Sequence, residues 1–223
     1  MIMSNKKYIY INTVLVLVFL FSFNQGANAG SSDVKNTEIS SIISYSVNRN
    51  SWMALAGTTN INSFQCVAES GISNGVILVD FNPGEDLVNF SDAQLLIDIS
   101  SFNCQNSRMK RDMYEALGGE ENSRIEIKLI EAMLTNGNLS SDGGNFRTNA
   151  AITINGHTDT LELIIDWQRY EAMEYRFEGS ADLNMSDFGI TPPSPFLGLV
   201  KVNDEITVRF NYIVHPVAIS RLD

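Results

Sequence analysis

The sequence predicts an all-β protein, an antiparallel β-barrel of about eight strands with one short amphipathic helix. Three observations carry this. Apolar and polar residues alternate with period two through most of the chain after residue 50. Turn-rich pieces such as "TNGNLSSDGG" and "NGHTD" separate the alternating runs. A single stretch, "NSRMKRDMYEALGG", has helical spacing instead.

The alternating segments place their apolar residues on one face each. "RIEIKLI" sets Ile125, Ile127 and Leu129 against Glu126 and Lys128. "FRTNAAITI" sets Phe146, Ala150, Ile152 and Ile154 against Arg147, Asn149 and Thr153. "TLELIIDW" sets Leu161, Leu163, Ile165 and Trp167 against Thr160, Glu162 and Asp166. "EYRFEGSADL" sets Tyr175, Phe177, Gly179, Ala181 and Leu183 against Glu174, Arg176, Glu178 and Asp182. "ITVRFNYIV" sets Ile206, Val208, Phe210, Tyr212 and Val214 against Arg209 and Asn211. Earlier segments, "WMALAGTTNINSFQC", "GVILVDF" and "AQLLIDI", are also strand-like. Strands of this kind have one wet face and one face to hide. Curling the sheet into a barrel hides the long apolar face and removes open edges. In the helical stretch Met109, Met113 and Leu117 recur at i, i+4, i+8; Asn106 or Ser107 can cap its start and Gly118 its end.

The chain has 223 residues. Its start reads as an export signal, residues 1–29. Lys6 and Lys7 precede an apolar run from Val14 to Phe23, and "ANA" at 27–29 supplies a small-x-small site, with cleavage expected after Ala29. The run is short of the about 20 apolar residues of a membrane span. Residues 30–41 read as a flexible leader, and 42–223 as the barrel domain. The expected location is periplasmic or secreted, as a soluble protein with no stable membrane span after cleavage.

Removing Lys6 and Lys7 lowers 15 basic residues to 13 against 26 acidic ones, a net charge of −13. Such an acidic chain argues against nucleic acid or an anionic membrane as partner. Cys66 and Cys104 stand at matching strand ends, "SFQC" and "SSFNC". An even count in an exported chain favours a disulfide between them, with two buried free thiols as the alternative.

The residues offer little chemistry. His157 and His215 have no partner at metal-ligand spacing, so no metal site is expected. There is no G-x-S-x-G, H-E-x-x-H or phosphate-cradling glycine loop. Asp80 and Asp98 are the one pair worth weighing as acid and base, and both sit opposite inward apolar residues. Asp182, Asn184 and Ser186 in "ADLNMSDFGI" have the alternate spacing of a calcium loop. Position six is Asp187 rather than Gly and position twelve is Pro193 rather than Glu, so a strand running into a turn explains them better. No enzymatic role and no cofactor is expected.

Several motifs in order resemble the YceI-like, polyisoprenoid-binding family. "LNMSDFGI", a proline loop and "LGLVKVNDEITVRFNY" are similar to its C-terminal pattern, through Ser186, Asp187, Phe188, Gly189, Val202, Asp204, Glu205 and Ile206. "GTTNINSFQC" resembles its first strand, "SRMKRDMYEAL" its helix, and "GHTDTLEL" its hairpin into a long strand. The resemblance spans roughly residues 44–215. It implies a lipocalin-like barrel, extended in shape, with an apolar tunnel for a long isoprenoid or similar lipid. Many relatives have histidines where this chain has Thr59, Asn60 and Ile61, and an arginine where it has Met185. Head-group contacts are therefore not carried over.

Together these readings predict a carrier for an isoprenoid or other long-chain amphiphilic lipid. The alternative is a non-enzymatic barrel with a filled core, acting as a stress or surface interaction module. The expected lining, taken from the inward parity, is Ile97, Ile99, Ile127, Leu129, Ile152, Leu163, Ile165, Phe177 and Phe210, with Met109 and Met113 at the mouth. Ala150 is the small residue at which a larger one is expected to narrow the tunnel. A homodimer is left open.

Overall fold

The structure is a computed structural model describing residues 39–81, 87–136, 142–171, 173–195 and 197–222. The signal segment and residues 30–38 of the leader lie outside the described residues. Eleven strands follow in chain order: β1 (Ile39–Val47), β2 (Trp52–Thr59), β3 (Ser63–Ala68), β4 (Gly75–Phe81), β5 (Leu87–Asp98), β6 (Phe102–Cys104), β7 (Arg124–Asn136), β8 (Gly143–Ile154), β9 (His157–Glu171), β10 (Glu174–Asn184) and β11 (Val202–Leu222). One helix, α1 (Ser107–Ala116), lies between β6 and β7.

All described pairings are antiparallel. The order β1-β4-β5-β7-β8-β9-β10-β11 closes on itself because β11 also pairs with β1, giving a ring of eight strands. The 21 residues of β11 make this closure work in two storeys. Its second half pairs with β1, and its first half pairs with β2, which carries β3 and β6 beyond it. At about 3.3 Å per residue, β11 spans roughly 70 Å of chain, so the barrel is long. The storey with β2, β3, β6 and α1 is called the helix end; the storey closed by β1 and β4 is the far end.

Residues 39–41, assigned to the leader by sequence, are instead paired in β1, with Ser40 opposite Leu222 and Asp80. The strand was hidden because "ISSIISYSV" puts serines on both faces. Bulges keep long strands facing inward. Between Leu129 and Glu131 the register of β7 shifts, so Ile130 turns outward at 41 % exposure while Ala132 returns inside.

The helix end has a solid core. Ile97, Ile99, Phe102, Ile125, Phe188 and Cys66 are all buried there, with Leu117 from the helix side. Asn106 caps α1 by accepting from the Met109 N–H at 2.9 Å, and Gly118 ends it at φ +73°. Along α1 run the ion pairs Arg108–Asp112 and Arg111–Glu115, both at 3.7 Å.

Cys66 and Cys104 face each other across β3 and β6 and form a disulfide, with Cα atoms 4.1 Å apart. It ties the three-residue β6 to the wall. Replacing both cysteines by alanine is expected to lower stability by about 3–4 kcal/mol, as the chain-entropy argument gives for a loop of this size. Urea unfolding checks it; an unchanged midpoint would contradict a structural role for the bond.

The "SDFG" segment is a structural turn. Met185–Phe188 form one 3-10 turn, and Gly189 follows at φ +67°. The Asp204 carboxylate accepts from Ser186 N–H at 2.9 Å and from Ser186 Oγ at 2.5 Å. Asp187 accepts from Asn184, and Asp182 from Thr207. Asp182, Ser186 and Asp187 are thus engaged through side-chain oxygens, and Asn184 through its amide N–H. A Cβ at Gly189 would meet the His157 ring at 2.7 Å. Gly189→Ala is expected to cost about 1 kcal/mol or more, from the left-handed backbone and this clash together. Thermal unfolding checks it; a stabilised variant would count against this reading of the turn.

Candidate functional site: a two-chamber apolar tunnel

The inward side chains do not fill the barrel. A cavity of about 380 Å³ lies at the helix end. Met109, Met113, Ala116 and Leu117 on and just after α1 form one side of it. Leu55, Phe64, Ile125, Ile206 and the Pro193–Pro195 loop form others. A second cavity of about 340 Å³ occupies the far end, between Ile43, Ile77, Val88, Phe90, Leu129, Phe146, Ile165, Phe177 and Phe210. Met53, Ile127, Ile152, Leu183 and Val208 belong to both walls. They form the waist where the two chambers adjoin inside the barrel.

Small residues shape its walls. The Phe210 ring occupies the place where Gly179 would carry a Cβ, 2.5 Å away, and stacks on Tyr212 with centroids 5.1 Å apart. Phe146 and Phe177 meet edge to face at 6.3 Å. The mouth at the helix end is framed by the β2–β3 turn and the proline loop. Asn60 binds the two together, donating to the Leu199 carbonyl at 3.0 Å and accepting from the Lys201 N–H at 2.8 Å. Ile61 in that frame, and Leu197 and Leu199 on the loop, stand exposed.

Charge is nearly absent from the interior. The helix-end wall includes Arg108 and Asp112, which pair with each other. Among the described residues, the far-end wall contains no Lys, Arg, His, Asp or Glu; its polar groups are Tyr45, Gln94, Trp167, Tyr175 and Tyr212. Burial pushes the Tyr45, Tyr175 and Tyr212 phenols up, with the Arg169 charge partly offsetting the rise at Tyr175. All three phenols are therefore neutral at any physiological pH.

Nine of the eleven lining residues expected from sequence stand in these walls. Met109 and Met113 are in the helix-end chamber, Ile127 and Ile152 at the waist, and Leu129, Leu163, Ile165, Phe177 and Phe210 in the far chamber. Ile97 and Ile99 do not line the tunnel. Both are fully buried in the solid core at the helix end, where β6 and the residues before it cover them. Ala150 is likewise fully buried and outside both walls. Ala181 is a small residue on the wall of the far chamber, as are Ala93 and Ala132, and it pairs in register with Val208 of the waist. Sequence reasoning passed over Tyr175, Leu183, Val208 and Tyr212 as lining, although their parity had already placed them inward. It missed Met53 at the waist and the β1 residues Ile43 and Tyr45 altogether.

Asp80 and Asp98 do not meet. Asp80 pairs in register with Asn89, whereas Asp98 ends the same strand β5 roughly 30 Å along it. Hydrogen bonds from Ser91 and Ser40 hold the Asp80 carboxyl below the usual range. Asp98 accepts from Arg124 Nε at 3.1 Å. Among the described residues, no cluster of His, Cys, Asp or Glu has the geometry to hold a metal ion, and no helix is long and apolar enough to cross a membrane.

A closed antiparallel barrel with two adjoining apolar cavities and a helix beside one mouth defines a cavity-forming barrel protein. The profile of the YceI-like domain matches residues 35–214, and the chain belongs to that family. BcnA of Burkholderia cenocepacia is similar in fold, at 14 % identity over 75 % of this chain and 99 % of its own, with TM-score 0.56. So is a domain of Saccharophagus degradans described as polyisoprenoid binding and implicated in plant cell wall breakdown. It shows 12 % identity over 78 % of this chain and 99 % of its own, with TM-score 0.57. No curated protein matches the sequence.

Proposed function

We infer that this chain is a non-enzymatic carrier or sequestering protein for a long-chain lipid, an isoprenoid or a similar amphiphile, held lengthwise in the tunnel. The observation that supports the reading is the shared waist, which sets two apolar chambers next to each other along the barrel, a layout suited to an extended chain. Each buried methylene contributes about 0.8 kcal/mol, so an apolar wall alone supplies affinity. Flexible Met109 and Met113 adapt the helix-end wall to chains of different shape. The polyisoprenoid binding stated for the Saccharophagus domain agrees with this class of ligand. The interior offers no paired acid and base and no activated nucleophile, which favours binding over catalysis.

The export signal and the disulfide support a periplasmic or secreted location. N-terminal sequencing of the exported protein should begin at Gly30. Function is tested by native mass spectrometry, with organic extraction, on protein purified from the cells that make it. A bound lipid of one main mass class is expected. Protein of the bare chain mass, stable and lipid-free in every preparation, would favour the filled-barrel interaction module instead.

A further inference from the structure

Two polar groups inside the far chamber have no partner. The phenol oxygens of Tyr175 and Tyr212 are buried, and neither makes a hydrogen bond. Both side chains stand in the wall of the chamber. Tyr212 pairs in register with Phe177, and Tyr175 pairs with Val214, so the two tyrosines are diagonal neighbours across β10 and β11. The third phenol of the chamber, Tyr45, is satisfied by the Gln94 carbonyl at 3.3 Å. A buried hydroxyl without a partner is costly, and a protein that only needed to fill this space would use phenylalanine, as it does at Phe146, Phe177 and Phe210. Two unused donors on side chains of an otherwise apolar wall fit an acceptor that arrives with the ligand, reached by a small rotation of the rings.

We propose that Tyr175 and Tyr212 form a hydrogen-bonding site for a neutral acceptor oxygen, a carbonyl or ether, on the lipid, which therefore enters with its polar end in the far chamber. The proposal rests on the carrier reading and narrows it to one ligand class. Neutral phenols donate one hydrogen bond each to a carbonyl oxygen, whose two lone pairs accept both. An anionic head group is disfavoured, because among the described residues the chamber wall holds no cation to offset its desolvation. The positive group that acts on Tyr175 is Arg169, opposite it on β9, and it is paired with Asp142 at 3.5 Å. With the acceptor end in the far chamber, the hydrocarbon tail runs through the waist to Met109 and Met113.

The test uses the mature full chain and three labelled probes of equal length, heptadecan-2-one, heptadecane and heptadecyl phosphate. Each is offered from phosphatidylcholine vesicles, and uptake is corrected for the probe's own partition into the vesicle. The parent should take up the ketone about tenfold better than the alkane, and the phosphate least. In the double variant Tyr175→Phe, Tyr212→Phe the ketone and the alkane should be taken up alike, with alkane uptake undiminished. The ligand-free Tyr212→Phe protein should melt higher than the parent, since it loses an unsatisfied hydroxyl; a tyrosine with a purely structural role would not gain. Equal uptake of ketone and alkane by the parent, a preference that survives in the double variant, or a preference for the phosphate would each overturn the proposal. If heptadecane enters and the ketone gains nothing, the tyrosine site alone fails. If no probe enters, the carrier reading fails with it.

Discussion

Ala181→Trp is expected to reduce lipid retention at least about tenfold while leaving the barrel folded. Ala181 faces the far chamber and pairs in register with Val208, a residue of the waist. An indole added there projects into the far chamber beside the waist, so it is expected to block a threaded chain without displacing packed neighbours. In a filled core the same substitution would overpack and cost about 1–3 kcal/mol or more. The two outcomes separate cleanly when thermal midpoint and lipid content are measured on the same preparation. A near-parental midpoint with lost lipid supports the tunnel. A lowered midpoint, with no lipid in the parent either, supports a filled barrel. The same indole at Ala150 would not make this test, because that side chain is fully buried outside the walls.

Phe188→Ala is expected to cost about 3–5 kcal/mol. The ring is 1 % exposed and belongs to the solid core of the helix end, held there by the 3-10 turn and the left-handed Gly189. Its removal leaves a hole beside Ile190 and Leu117 that the disulfide-tied wall is poorly placed to close. For a domain of this size the midpoint should fall by roughly 10 °C. Added calcium should not restore it, since the carboxylates of the turn are already hydrogen bonded. A near-neutral midpoint, or rescue by calcium, would contradict the structural reading of the turn.

Most of the wall was legible because one physical cause wrote it. Strands β7 to β11 have water on one side and an apolar interior on the other, so their parity alone placed Ile127, Leu163, Phe177 and Phe210 inside. The helix was equally plain, with its Gly118 end and a cap at Asn106 or Ser107, of which Asn106 is the one used. Parity was blind to two other things. It cannot distinguish an inward residue against open space from one against more protein. Ile97 shares its face with the lining residue Leu95, and only the cover supplied by β3 and β6 makes it core. Strand β6 is three residues long and carries no period, so that cover could not be read in advance. Parity also fails where a strand closes the ring with small polar residues, as in β1, whose Ser41 is buried at an inward position. The tyrosines were placed inward by the same alternation, yet their importance lies in what their hydroxyls lack. That depends on distant backbone and appears only once the barrel is closed.

The central claim is that a single lipid chain runs through both chambers. The most direct measurement is a crystal structure of the mature protein with its co-purified lipid or with an added long prenol. The account predicts unbroken ligand density crossing the waist between Met53, Ile127, Ile152, Leu183 and Val208. Chambers closed by repacked side chains, or density confined to the mouth at the helix end, would contradict it.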